Sequence, residues 1–321
     1  MLIKEANKRI IPVLLILGLT VLSLFIGVNS VSVREVFHNG SLDRVILMTT
    51  RLPRTISILL SGATLSISGL LMQQLTQNKF TSPSTVGTTA SARLGLILAL
   101  IFFPKASLLN RGLFAFVFAF IGTMLFVTLI DRVRIKNGIV VPILGLMLGN
   151  VISSFGTYLA FDLDVVQDVS SWLQGNFSLV DSTNYQLIFF SLISLFFIIT
   201  FAHYFSIMAL GQDLVTELGI SYTTFRLIGI ILVALGSASV LLTVGNIPFI
   251  GIVIPNLVSL RYGDHFKKNI FPVGAFGMVF LLCADILARV LIFPFEIPVS
   301  VLVGILGSIC FIYLLFRGER G

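Results

Sequence analysis

Ten long apolar segments run through this chain, at residues 11–28, 55–75, 86–103, 112–130, 139–160, 185–205, 223–243, 247–260, 271–293 and 299–316. Most of them hold no Asp, Glu, Lys or Arg. About 20 apolar residues in a helix cross the ~30 Å hydrocarbon core of a bilayer. The pattern therefore specifies an all-α, polytopic membrane protein of about ten transmembrane helices. Membrane strands are excluded, since they need only about 9–11 residues of alternating polarity. The segment 247–260 is short and holds Pro248 and Pro255, which makes it the weakest of the ten. Composition agrees: 56% of the 321 residues are hydrophobic and 11% are charged. A soluble domain carries about 25% charged residues, and a charge at mid-bilayer costs at least about 2.5–3.5 kcal/mol.

Orientation follows from Lys and Arg in the short loops. Lys4, Lys8 and Arg9 open the chain, and Arg317 and Arg320 close it. Ten spans return both termini to one side, together with Arg132, Arg134, Lys136, Arg261, Lys267 and Lys268. The stretch 162–184 falls on the other side, with Asp162, Asp164, Asp168 and Asp181 and no Lys or Arg. Both termini are thus expected in the cytoplasm. The net charge of +7 is a topology signal and not a sign of nucleic-acid binding. The first apolar run is long and lacks a small-residue cleavage site, so it reads as a retained helix rather than a signal peptide. No Pro/Ser linker or low-complexity tract divides the chain, and 1–321 reads as a single transmembrane permease domain.

Chemistry is sparse. Cys283 and Cys310 lie in apolar spans and read as buried thiols. His38, His203 and His265 are scattered without metal-ligand spacing. There is no G-x-x-x-x-G-K-[ST] phosphate loop and no Gly-Lys dipeptide, so any ATP-driven step needs another polypeptide to bind ATP and magnesium. This chain is expected to hold no cofactor and to catalyse no reaction. Small residues recur four apart, at Gly62 and Ser66, Gly145 and Gly149, Ala234 and Ala238, and Gly304 and Ser308. Such spacing lets helices approach closely.

Four ordered motifs carry a resemblance. Arg51-Leu52-Pro53-Arg54 precedes a span with Gly62-Ala63, Leu65 and Ser68-Gly69, followed by Gln73, Asn78, Pro83 and Gly87. Gly211-Gln212-Asp213 leads to Glu217-Leu218-Gly219. Gly245-Asn246-Ile247-Pro248-Phe249-Ile250-Gly251 leads to Ile254-Pro255-Asn256. Asp285, Ala288-Arg289 and Glu296-Ile297-Pro298 follow. Over essentially the whole chain this resembles the FecCD-type permease family of bacterial iron–siderophore, haem and vitamin B12 ABC importers. Two departures stand out. Lys79 follows Asn78 where Pro is more usual, and Ser91-Ala92-Arg93-Leu94-Gly95 puts an arginine near the expected cytoplasmic end of the third span. Similar patterns resemble a subgroup handling ferric catecholate-type siderophores.

The resemblance implies a multi-pass protein of the bacterial cell membrane. It would pair with an identical or different second permease, a cytoplasmic ABC ATPase dimer and an extracytoplasmic siderophore-binding protein. It implies that Arg51, Arg54 and Arg289, with Glu296, form the outer docking site, where planar guanidinium forks meet carboxylates of the binding protein. Arginines at 34, 44, 51 and 54 otherwise violate the positive-inside rule, and snorkelling to lipid phosphates is the plainer account. Asp285 sits four residues before Arg289, a spacing that also suits an ion pair within one helix. The resemblance assigns Gly211, Asp213, Leu214, Glu217, Leu218 and Gly219 to ATPase coupling. Leu214, Val215 and Leu218 recur at helical spacing, as in a short helix seated in a partner's groove. The expected cargo is an iron(III) siderophore. Haem, vitamin B12 and a secondary ion-coupled mechanism are the alternatives, although Asp285 is the single acidic candidate within the spans for ion coupling.

Overall fold

A computed structural model describes residues 2–27, 41–133, 140–162 and 174–318. Arg34, Glu35, His38, Arg134, Lys136, Asp164, Asp168 and Arg320 lie outside the described residues, and so do the loop positions on which much of the topology expectation rests.

The chain forms α1 (Leu2–Phe25), α2 (Leu42–Thr76), α3 (Thr88–Phe102), α4 (Leu108–Val133) and α5 (Val140–Asp162). After a short 3-10 turn (Tyr185–Phe189) come α6 (Phe190–Thr200), α7 (Ala202–Met208), α8 (Gln212–Glu217), α9 (Tyr222–Val244), α10 (Ile250–Tyr262), α11 (Phe266–Val290) and α12 (Val299–Gly318). Each of the ten apolar segments is helical over most of its length. Among the described residues five helices are long and apolar enough to cross a membrane. A sixth results when Tyr185–Thr200 and Ala202–Met208, bent by 65°, count as one span. The four remaining apolar segments form the shorter helices Ile10–Phe25, Thr88–Phe102, Ile250–Tyr262 and Val299–Leu314.

One boundary differs from expectation. Residues 42–54 are not loop but the first turns of α2. Ser41 caps this helix, its hydroxyl accepting from the Arg44 amide. A π-helical turn follows at Leu47–Arg51. Pro53 lacks an N–H, which leaves the Thr49 carbonyl four residues back without its helical donor. The Ser182 amide donates to that carbonyl at 2.9 Å. The proline thus marks where a neighbouring segment is tied in, and does not end the helix.

Helix α2 is the hub, packed against α6, α9, α10 and α11. Two of its glycines set those distances. A Cβ on Gly62 would lie 2.6 Å from the Gly277 carbonyl oxygen of α11. A Cβ on Gly69 would lie 2.0 Å from the Gly251 oxygen of α10. That oxygen is the one Pro255, four residues on, cannot donate to. Backbone therefore touches backbone at both crossings; at Gly62, four residues before Ser66, small-residue spacing predicts it. Gly304 makes no such approach, since a Cβ there meets only Pro248 at 4.0 Å.

The stretch 174–182 laces one end of the bundle. Asn176 donates to the last carbonyl of α9 at Val244, and Ser300 of α12 donates to Gly175. Phe177 and Val180 are buried beneath it. Cys283 and Cys310 are free thiols.

Candidate functional site

Both sequence-derived site groups sit at the ends of α2. Residues Leu52–Thr76 alone span about 37 Å at 1.5 Å per residue, more than the ~30 Å hydrocarbon core. Arg51 and Arg54 stand at its start, while Gln77, just past its end, lies beside Gly211.

At the first end four elements converge: α1, α2, α11 and the α11–α12 connection. Arg54 donates from Nε at 3.1 Å and Nη2 at 2.7 Å to Oδ1 of Asp285 on α11. Its Nη1 donates to Glu296 Oε2 at 2.7 Å, in the α11–α12 connection. Arg289 closes an ion pair with the other Asp285 oxygen, one helical turn away. Its guanidinium also donates to the Ser23 and Ile26 carbonyls, both at 2.8 Å, and to the Ser23 hydroxyl at 3.1 Å. Arg51 donates to the same Ile26 carbonyl at 2.6 Å. The C-terminal carbonyls of α1 carry partial negative charge and suit these cations. A Cβ on Gly27 would fall 1.8 Å from Arg51 Nη1, so a larger residue there would displace the Arg51 guanidinium from its place.

Sequence reasoning placed Arg51, Arg54 and Arg289 facing outward. The structure places them inside: Arg51 and Arg54 are each 7% exposed and Arg289 is 2% exposed. The carboxylates that Arg54 and Arg289 meet belong to this chain. A guanidinium in a low-dielectric interior needs a paired, hydrogen-bonded anion, and Asp285, fully buried between two of them, supplies it. The Asp285–Arg289 pair was legible from its spacing. The Arg54–Asp285 contact, 231 residues apart, was not. The one sequence signal for it was an unexplained excess of arginine on the expected outer side. A cavity of about 180 Å³ opens beside this cluster, lined by Thr50, Arg51, Arg54, Ser178 and Glu296.

At the other end lies α8. Gly211, at φ 90°, precedes it, and Gly219, at φ 76°, follows it. Gly219 turns the chain so that Ile220 N–H reaches the Val215 carbonyl, a helix stop that favours glycine. Only Val215 is buried. Leu214 and Leu218 are 51% and 61% exposed, with Asp213 and Glu217 exposed beside them. Val215 thus belongs to the anchoring face, apart from the two leucines with which sequence spacing had grouped it. Nearby, Lys79 pairs with Asp264 at 2.6 Å, both exposed.

A model of the FecCD transport family matches residues 14–317. The chain is 43% identical over 304 residues to the petrobactin import system permease protein YclN of Bacillus subtilis, covering 95% of this chain and 96% of that one. It is 35% identical over 300 residues to the ferric-anguibactin transport system permease protein FatD of Vibrio anguillarum, covering 93% and 95%. Among solved structures, a metal-chelate type ABC transporter in an inward-facing conformation superposes with a TM-score of 0.81 at 24% identity, covering 97% of this chain and 99% of that one.

Proposed function

The chain belongs to the FecCD transport family, and from that premise we propose that it is the membrane permease of an ABC importer that carries an iron(III) siderophore, of catecholate type, across the bacterial cell membrane. The observation that carries this reading is end-to-end similarity to permeases that bear petrobactin and ferric-anguibactin in their names. The catecholate assignment rests on Lys79 and Arg93, the two departures from the usual family pattern.

In this reading the chain is one permease domain of about ten spans with both termini in the cytoplasm. It works beside a second permease, with cargo moving along the interface between them. ATP and magnesium are bound by a separate cytoplasmic ATPase dimer. Leu214 and Leu218, with Asp213 and Glu217, enter a groove of that ATPase, and Gly211 and Gly219 set the ends of the docking turn. Closure of the ATPases then pushes on α8, whose Val215 is seated in the bundle.

An extracytoplasmic siderophore-binding protein docks over the cluster at the start of α2. Arg54 and Arg289 hold the underlying brace, and Arg51 and Glu296 line the cavity that opens beside it. An incoming carboxylate reaches Arg54 by exchanging with Glu296, whose side chain is 19% exposed. Such exchange replaces one charge-assisted bond by another and is inexpensive.

The test is a strain deleted for this chain. It should lose uptake of at least one radiolabelled ferric siderophore and regain it on complementation. Normal uptake of every ferric siderophore tested, with loss of haem or cobalamin uptake, would show that the cargo is wrong and leave the permease reading standing.

A further inference from the structure

The arginines within the spanning helices are not equivalent. Arg54 and Arg289 meet Asp285, and Arg226 of α9 grips Asp131 of α4 with both Nη atoms, at 2.6 and 2.8 Å. Arg51 meets the carbonyl end of α1. Arg93, on α3, differs: among the described residues no carboxylate pairs with it. Its Nε is buried without a hydrogen-bond partner, as are those of Arg226 and Arg289, but those two guanidinium groups are held by carboxylates through their other nitrogens.

Arg93 lines a cavity of about 210 Å³. The walls that matter are Ser84 and Thr89 beside it, Asn150 and Ser153 on α5, and Asn246 in the α9–α10 connection. Asn150 and Ser153 lie ten and thirteen residues into α5, roughly 15–20 Å along its axis and hence near the middle of a ~30 Å core. Asn150 is exposed on the described chain, so the cavity opens on a face of α5 that no other element covers. A cation at this depth, without an internal counter-ion, is costly, and such groups mark the paths of charged substrates.

We propose that Arg93 is a cargo-contacting residue that transiently holds the anionic shell of an iron(III) chelate at mid-membrane. The inference rests on the importer reading and adds the charge class of the cargo: chelates wrapped in catecholate or carboxylate oxygens, which carry net negative charge, in preference to uncharged hydroxamates. A guanidinium suits the task because it has five donors and no lone pair. It attracts the oxygen shell but cannot compete for the metal. The amides and hydroxyls around it are weak donors and acceptors, so the chelate is steered without being stripped. The cavity is smaller than the ~300–1,000 Å³ of a complete ligand pocket and receives one arm of the chelate, with the remainder lying along α5.

The experiment uses cells carrying the complete importer and iron-55 chelates of three kinds: a ferric catecholate, ferric citrate and an uncharged ferric hydroxamate. Arg93→Gln should lower uptake of the anionic chelates transported by wild type roughly ten- to hundredfold, the range for losing one charge-assisted contact. Arg93→Lys should restore most of it. Membrane level and ATPase co-purification should not change. Unaltered anionic uptake in Arg93→Gln overturns the proposal, and so does an equal loss for charged and uncharged chelates, which marks a structural residue. Wild-type cells that take up none of the three overturn the ferric-siderophore cargo on which the inference rests, and leave the permease reading standing. A second readout needs no transport. Arg93→Cys, in a chain lacking Cys283 and Cys310, should react with a soluble anionic thiol reagent and be protected by the transported chelate. A thiol that does not react places Arg93 off the aqueous path and removes the proposal.

Discussion

The two ends of α2 solve opposite problems. At the Arg54 end, charge is buried, and Arg54, Asp285 and Arg289 find their counter-ions within the chain. At the α8 end, charge and two leucines are presented outward, and Val215 alone fastens the element to the bundle. The first is a brace, expensive to assemble and more expensive to break. The second is exposed, and its residues are cheap to alter in the isolated chain. Ion pairs and hydrophobic residues occur at both ends, so residue type does not distinguish them; burial does.

The comparison breaks first at Asp285. Asp285→Ala leaves Arg54 and Arg289 without their shared anion and should cost about 3–5 kcal/mol, read as a lower unfolding temperature in detergent or as lost membrane yield. Unchanged stability would mean that the cluster is not a brace. Val215→Ala removes two buried methyl groups and should cost about 2 kcal/mol by transfer and cavity terms. The same measurement should show it, together with weaker ATPase attachment. A stability change as small as that of an exposed leucine would detach α8 from the core.

Leu214→Asp combined with Leu218→Asp sharpens the contrast from the other side. Thermal stability should move by no more than about 0.5 kcal/mol, while ATPase recovered by affinity purification should fall by most of its amount. Full recovery of the ATPase would rule out these leucines as the docking face. Glu217→Lys should have the smallest effect, a partial loss of uptake by charge reversal at a contact rim, with no shift in unfolding temperature. Wild-type transport in that variant would move the interface elsewhere. Glu296→Gln probes the exposed margin of the brace. It should strengthen binding-protein association measured by pull-down, because an incoming carboxylate no longer displaces a charged partner from Arg54. It should lower stability little, because Arg54 keeps both bonds to Asp285. Weaker association would rule out the exchange.

Much of the architecture was legible before any coordinates. Long apolar runs announce helices because a backbone in lipid must satisfy its own hydrogen bonds, and each of the ten runs is helical over most of its length. Gly62, four residues before Ser66, announced a close helix crossing, whereas the approach at Gly69 was not read from spacing. The misread stretch was 42–54, where Arg44, Arg51 and Arg54 suggested a loop. Charge normally signals water, and only the Ser41 cap, the Thr49–Ser182 tie and the internal anions make a helix there. Arg93 was visible as an oddity of its span, but its lack of a counter-ion is a fact about neighbours, which no single-chain pattern records.

What the sequence alone determined is class and periodicity: a membrane bundle of helices, without a phosphate loop, with arginines and acids in a family-specific order. What only the tertiary structure decided is which helix faces what. The apolar windows of Leu42–Thr76 and Val140–Phe161 are close in mean hydropathy, yet 83% of one and 22% of the other is buried within the chain. The reason is physical. Lipid tails are as apolar as leucine, so a protein neighbour and a bilayer demand the same composition. Only the close packing of one helix against another separates the hub of this fold from the face it leaves uncovered.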